Sequence, residues 1–196
     1  SFLPFPNGPV FSRPITTVLK MPSQIQADNA ALASYTVKYL FPEISEELIE
    51  NTLSKVWLPG RFEILNKNPL VVLDGAHTQK SLKSTLDTFA SLFLGNTHLL
   101  FACAADKEVE ALALLCSNRF TRICITKPGL RKPSDFERAS KAFTEVIDKE
   151  SSTRLVLEVD YEKAIIDAFK TAKQEQAGLL ITGSFYLVAE VKNLLA

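Results

Sequence analysis

Residues 70–77, LVVLDGAH, put a run of four apolar side chains directly before a small polar cluster, Asp74-Gly75-Ala76-His77. Four apolar residues in succession suit a strand buried on both faces, as in a parallel sheet, better than the alternation of a half-exposed strand. Downstream the same kind of run recurs: HLLFACA (98–104), RICIT (122–126), RLVLEV (154–159) and GLLIT (178–182). Stretches of helical periodicity separate these runs. Leu82, Leu86, Phe89 and Phe93 fall on one helical face, as do Val109, Leu112, Ala113 and Cys116, and then Phe136, Ala139, Phe143 and Val146. Two further faces comprise Ala164, Ile165, Ala168 and Phe169, with Asp160 as N-cap, and Leu187, Val188, Val191 and Leu194. Ser134 and Glu137 have the spacing of a capping box. Strand and helix in alternation predict an α/β, Rossmann-like domain of three layers, with about five parallel strands. A hairpin of Phe62–Leu65 against Leu70–Leu73 adds one antiparallel edge strand.

Residues 1–58 differ. Pro4, Pro6, Pro9 and Pro14 mark a loop-rich start, and two helical segments follow at about 27–41 and 45–57. Trp57-Leu58-Pro59-Gly60-Arg61 punctuates the chain, so a boundary and a hinge are expected there, with the α/β domain covering 59–196.

Composition narrows the partners. The 196 residues carry 22 basic and 22 acidic side chains, for no net charge, which gives nucleic acid or an anionic membrane no electrostatic footprint. No apolar run reaches the roughly 20 residues of a membrane span. Cys103, Cys116 and Cys124 are odd in number and set among apolar neighbours, as expected of buried, reduced thiols in a cytoplasmic protein. The first residue is not methionine, a sign of a piece cut from a longer chain.

Several residues stand where ligands bind in open α/β sheets, at the carboxyl ends of strands. Asp74 and His77 follow the first strand; Gly75 lets a ligand approach, and the next helix offers free N–H groups. Asp74 fits a helix cap equally well, and His77 a first-turn surface histidine. Arg61 has the paired donors that suit phosphate, although a lone arginine is more often merely solvated. Asp106-Lys107 could put a cation at the same crevice, and ordinary capping explains it more simply. Thr182-Gly183-Ser184 offers a hydroxyl and amides to an anion, or an N-cap. His98 opens a strand and receives no role. There is no G-x-x-x-x-G-K-[ST], G-x-G-x-x-G or C-x-x-C, which removes support for zinc, dinucleotide and stand-alone kinase chemistry, and no metal ligand set is expected.

In order, QIQADNAA (24–31), WLPGRFE (57–63), VVLDGAH (71–77), Asp106-Lys107 and ITGSFYLVAEV (181–191) resemble the folylpolyglutamate synthase and dihydrofolate synthase family, within the group that includes the Mur ligases. The resemblance implies an ATP-dependent, ADP-forming ligase that adds L-glutamate to folates. In that family an N-terminal ATPase domain activates a folate carboxylate as an acyl phosphate, and a C-terminal domain closes over it. It further implies that Arg61 reaches the ATP phosphates and that Asp74 holds the ribose, with Lys107 as a further ATP contact. His77 and Ser184 would serve the incoming glutamate or the reacting phosphate. Residues 1–58 would be the helical end of the ATPase domain, which would hold most of the Mg²⁺. Nothing before residue 24 resembles a phosphate-binding loop, so this chain alone is expected to be inactive. Thr78 stands where folate ligases usually have Asn, as in some Mur ligases. A Mur-type ligase of peptidoglycan synthesis and a non-catalytic binding module are the alternatives.

Overall fold

A computed structural model describes residues 10–147 and 152–196, and divides the chain into two compact units that meet at Leu58–Pro59. In the first unit, helices α1 (Gln24–Leu40) and α2 (Glu46–Leu53) follow an irregular stretch. That stretch is tied to α2 by Arg13, whose guanidinium donates to both Glu50 oxygens at 2.6 and 2.7 Å, and by Ser12, which donates to Glu46. The second helix is shorter than its expected span of 45–57. Among the described residues α1 buries only Gln26 and Ser34, while Leu32, Leu40 and Phe41 stay exposed.

The second unit, Pro59–Ala196, holds a six-stranded sheet in the order β1-β2-β6-β3-β4-β5. Its strands are β1 (Glu63–Lys67), β2 (Leu70–Leu73), β3 (Thr97–Phe101), β4 (Arg122–Ile125), β5 (Arg154–Leu157) and β6 (Gly178–Thr182). All neighbours pair in parallel except β1 with β2, which are antiparallel with a bulge between Ile64 and Asn66. The expected α/β architecture, five parallel strands and one antiparallel edge, is therefore present.

Helices α3 (Gln79–Leu92), α4 (Val109–Cys116) and α5 (Phe136–Val146) cover one face of the sheet. Their Leu82, Phe89, Leu112 and Phe143 pack with Val72, Leu99 and Ile123 in one apolar cluster. Helices α6 (Tyr161–Glu175) and α7 (Phe185–Leu195) cover the other, where Ile165, Leu187 and Val191 meet Leu73, Leu100 and Ile181. Side chains alternate between faces along a strand, so one run such as Leu70–Leu73 feeds both cores. Cys103, Cys116 and Cys124 are buried and unbridged, and burial pushes their thiols up to about 11, 12 and 11.

Two local expectations are corrected. β5 is not buried on both faces: Arg154 and Leu157 are exposed, and among the described residues no strand pairs with the outer side of β5. The cap of α5 is Asp135, which accepts from the Arg138 N–H at 2.9 Å, rather than Ser134 with Glu137. A carboxylate one residue later caps as well as a serine does, and the helix starts accordingly.

Candidate functional site

The chain runs from β2 through α3, α4 and α5 to β5 along one face, then returns through α6 on the opposite face to insert β6 between β2 and β3. Above the carboxyl end of β6 the connections leave toward opposite faces: β2 and β3 lead into α3 and α4, whereas β6 leads into α7. That divergence opens a crevice at the topological switch point. The turns after β2, β6 and β3 border it.

Asp74 ends β2 and is 6% exposed. Its Oδ2 accepts from the Phe62 N–H at 2.7 Å, while Oδ1 accepts from the Ala76 N–H at 2.8 Å and from the Thr85 hydroxyl at 3.0 Å. Burial pushes this carboxyl above its usual range, opposed by those three hydrogen bonds and by the charge of Arg61. The carboxylate thus binds the loop around Arg61 to the start of α3. The N-cap of that helix is Thr78, whose hydroxyl accepts from the Ser81 N–H in a capping box, so Asp74 is not the cap. Thr78 is accounted for by this local role.

Three bonds hold the Arg61 loop. The Gly75 N–H donates to the Gly60 carbonyl at 2.8 Å, and the Phe62 N–H donates to Asp74. The Gly60 N–H donates to Glu63 Oε2 at 2.8 Å, and Lys192 of α7 donates to Oε1 of the same carboxylate at 2.6 Å. Arg61 sits between Gly60 and Phe62, both at positive φ, +68° and +49°. Glycine takes that conformation freely, whereas Phe62 does so under the constraint of its bond to Asp74. The Arg61 guanidinium lies 4.5 Å from the centroid of the Phe185 ring. It has no ion pair among the described residues.

His77 is half-buried, with Nδ1 2.8 Å from the Gly75 carbonyl. A carbonyl can only accept, so Nδ1 carries the proton and Nε2 is left for another partner. Its ring meets Phe185 edge-on, with centroids 6.1 Å apart. Ser184 is the N-cap of α7, buried, and accepts from the Tyr186 N–H at 3.1 Å. Before it, Gly183 has φ +100°, and a Cβ there would overlap the Ala102 carbonyl, so the β6 and β3 turns touch through glycine. Lys107 lies on the β3–α4 turn, paired with Asp106 at 3.2 Å. Among the described residues no hydrogen bond or ring contact joins it to the group around Arg61.

The structure therefore gathers Arg61, Asp74, Gly75, His77 and the start of α7 in one place, and Lys107 makes no described contact with them. Phe185 had no assigned role in the sequence. It lay inside ITGSFYLVAEV, yet an aromatic residue at the head of an apolar helix is ordinarily core. Only its contacts with Arg61, Gly75 and His77 distinguish it.

Residues 60–185 match the model of the Mur ligase, glutamate ligase domain. The chain belongs to this family. Among relatives of this Mur ligase domain, a probable bifunctional folylpolyglutamate synthase/dihydropteroate synthase of Haloferax volcanii is 27% identical over 172 residues, covering 86% of the chain and 19% of that protein. The dihydrofolate synthase/folylpolyglutamate synthase of Bacillus subtilis is 27% identical over 174 residues, covering 86% of the chain and 38% of that protein. The fold matches Mycobacterium tuberculosis folylpolyglutamate synthase, complexed with ADP and AMPPCP, at a TM-score of 0.80 and 22% identity; 91% of the chain and 41% of that protein are covered. The Mur ligase domain described here thus spans well under half the length of these relatives.

Proposed function

We propose that this chain is the nucleotide-closing part of an ATP-dependent, ADP-forming ligase that joins L-glutamate to a folate. The observation that carries the proposal is a guanidinium without an ion-pair partner, fixed on a pinned loop at the switch point of a Mur ligase domain. Arg61 would neutralise the phosphates as negative charge moves toward the leaving ADP. Asp74 would hold the ribose through Oδ2, which accepts a single hydrogen bond here and can take a second from a ribose hydroxyl, while the same carboxylate fixes the Arg61 loop. His77, with Nε2 open, and Ser184 would face the glutamate amine or the reacting phosphate, and Lys107 would add a cation at the rim.

In the reaction so read, a folate carboxylate takes the γ-phosphoryl group of ATP and the glutamate amine then displaces phosphate to form the amide. The partners are ATP, glutamate, folate and an N-terminal ATPase domain of the same parent chain, in the cytoplasm. The exposed Leu32, Leu40 and Phe41 around α1 support reading residues 1–58 as the end of that ATPase domain. Among the described residues no group of three or more His, Cys, Asp and Glu could hold a metal ion. Mg²⁺ is assigned, by the family resemblance, mainly to the ATPase domain, and no step here runs through it. No helix among the described residues is long and apolar enough to cross a membrane.

The test uses the longest natural polypeptide that carries this chain, assayed for ADP release with dihydropteroate, dihydrofolate or tetrahydrofolate and L-glutamate. Arg61→Ala is expected to lower kcat/KM for ATP by roughly ten- to a hundredfold, the scale of a lost charge-assisted contact. Turnover with a muropeptide acceptor and none with any folate would overturn the substrate assignment.

A further inference from the structure

Phe185 touches more of the site than any other side chain described above, and the proposed chemistry gives it nothing to do. Its ring lies under the Arg61 guanidinium at 4.5 Å and against the edge of His77 at 6.1 Å. The space it fills exists because of two glycines. A Cβ on Gly75 would overlap the ring at Cε1 and Cδ1, and one on Gly60 would lie 3.4 Å from the ring and 3.0 Å from Val188 Cγ1. The ring thus lies close against the backbone of Gly75 and Gly60.

An arginine in a binding site is commonly oriented by a carboxylate, which consumes some of its N–H donors. The two acidic side chains that hold the Arg61 loop are committed elsewhere. Glu63 accepts from the Gly60 N–H and from Lys192, and Asp74 accepts three hydrogen bonds of its own. An aromatic face attracts the cation without taking any of its hydrogen-bond donors. The backbone on both sides of Arg61 is pinned, so the side chain itself is what remains to be ordered.

We propose that Phe185 is the positioning residue of this site, a platform that keeps the Arg61 guanidinium ordered and its donors available to the phosphates of a nucleotide. The inference rests on the assignment of Arg61 to those phosphates. It also gives Gly75 a definite purpose: the absence of a side chain there admits the ring.

A double-mutant cycle in the natural full-length polypeptide tests it, using Phe185→Leu, Arg61→Met and the two combined. Phe185→Leu is expected to lower kcat/KM for ATP roughly three- to tenfold, and Phe185→Tyr, which keeps the π face, to stay within about twofold. Added to Arg61→Met, Phe185→Leu is expected to cost nothing more, since its whole effect passes through the arginine. An equal loss on the Arg61→Met background, or no loss in the single variant, would overturn the platform. Wild-type kinetics for Arg61→Met would instead remove the phosphate assignment, which separates the two failures. Thermal melts accompany each variant, and Phe185→Met replaces Phe185→Leu if that variant fails to fold.

Discussion

Asp74 and Asp106 each follow a parallel strand and precede a helix, and they have become opposite kinds of residue. Asp74 is buried, receives three hydrogen bonds, and has its carboxyl pushed up by burial. Asp106 is exposed, and Lys107 beside it holds its carboxyl below the usual range. The difference comes from what each strand sits beside. The turn after β2 meets the β1 hairpin and the start of α7, which supply donors and a ring at close range, whereas Asp106 on the β3–α4 turn is paired with its neighbour Lys107 and feels the charge of Lys132. The same position in the topology thus yields a structural clamp in one turn and a solvated pair in the other.

The largest test of this contrast is removal of the carboxylates. Asp74→Ala leaves the buried Phe62 and Ala76 N–H groups without their acceptor, while the Thr85 hydroxyl keeps the Ser81 carbonyl, and is expected to cost about 3 kcal/mol. Asp106→Ala loses one exposed ion pair and is expected to lower the urea midpoint far less. Equal midpoints for the two variants would end the distinction.

Next is the residue that follows each acid. Gly75→Ala pushes a methyl group into the Phe185 ring, an overpacking expected to cost about 2 kcal/mol and to raise the KM for ATP as the platform shifts. Lys107→Ala loses one ion pair at the surface and should lower the midpoint only slightly.

The smallest and sharpest test is the sign of the pH dependence. A raised carboxyl such as Asp74 binds its proton more readily in the folded state, so its contribution to stability falls as pH rises from the unfolded value through the folded one. The cost of Asp74→Asn should therefore be greater near pH 4 than at neutrality. For Asp106 the shift is downward, and its contribution is present above the unfolded value and lost as pH falls through the folded one. The cost of Asp106→Asn should accordingly vanish in acid. Denaturation curves across that range, each compared with the parent protein, read both slopes.

Much of the fold was legible in local pattern. Strands β2, β3, β4 and β6 are apolar runs because they lie between two helical layers. The edge position of β5 was hidden, since the apolar residues of RLVLEV do not say whether another strand lies alongside. The site was legible as a set of candidates but not as a mechanism. Two of the three partners of Asp74 are 12 and 11 residues away in sequence, at Phe62 and Thr85, so the choice between cap and ligand could not be made locally. Phe185 was hidden for a related reason: its role depends on Arg61, Gly75 and His77, which reach it only when β6 slots in beside β2.

That insertion also governs how the sheet is made. A ribosome delivers the parallel strands in the order β2, β3, β4, β5, β6, yet β6 occupies the position between β2 and β3. Until GLLIT has emerged, the nascent chain holds two open seams of Leu and Val backbone with no neighbour to pair them. Such seams are the surfaces on which chains adhere to one another. During synthesis the facing edges of β2 and β3 consequently cannot be closed as they are in the finished sheet until β6 arrives.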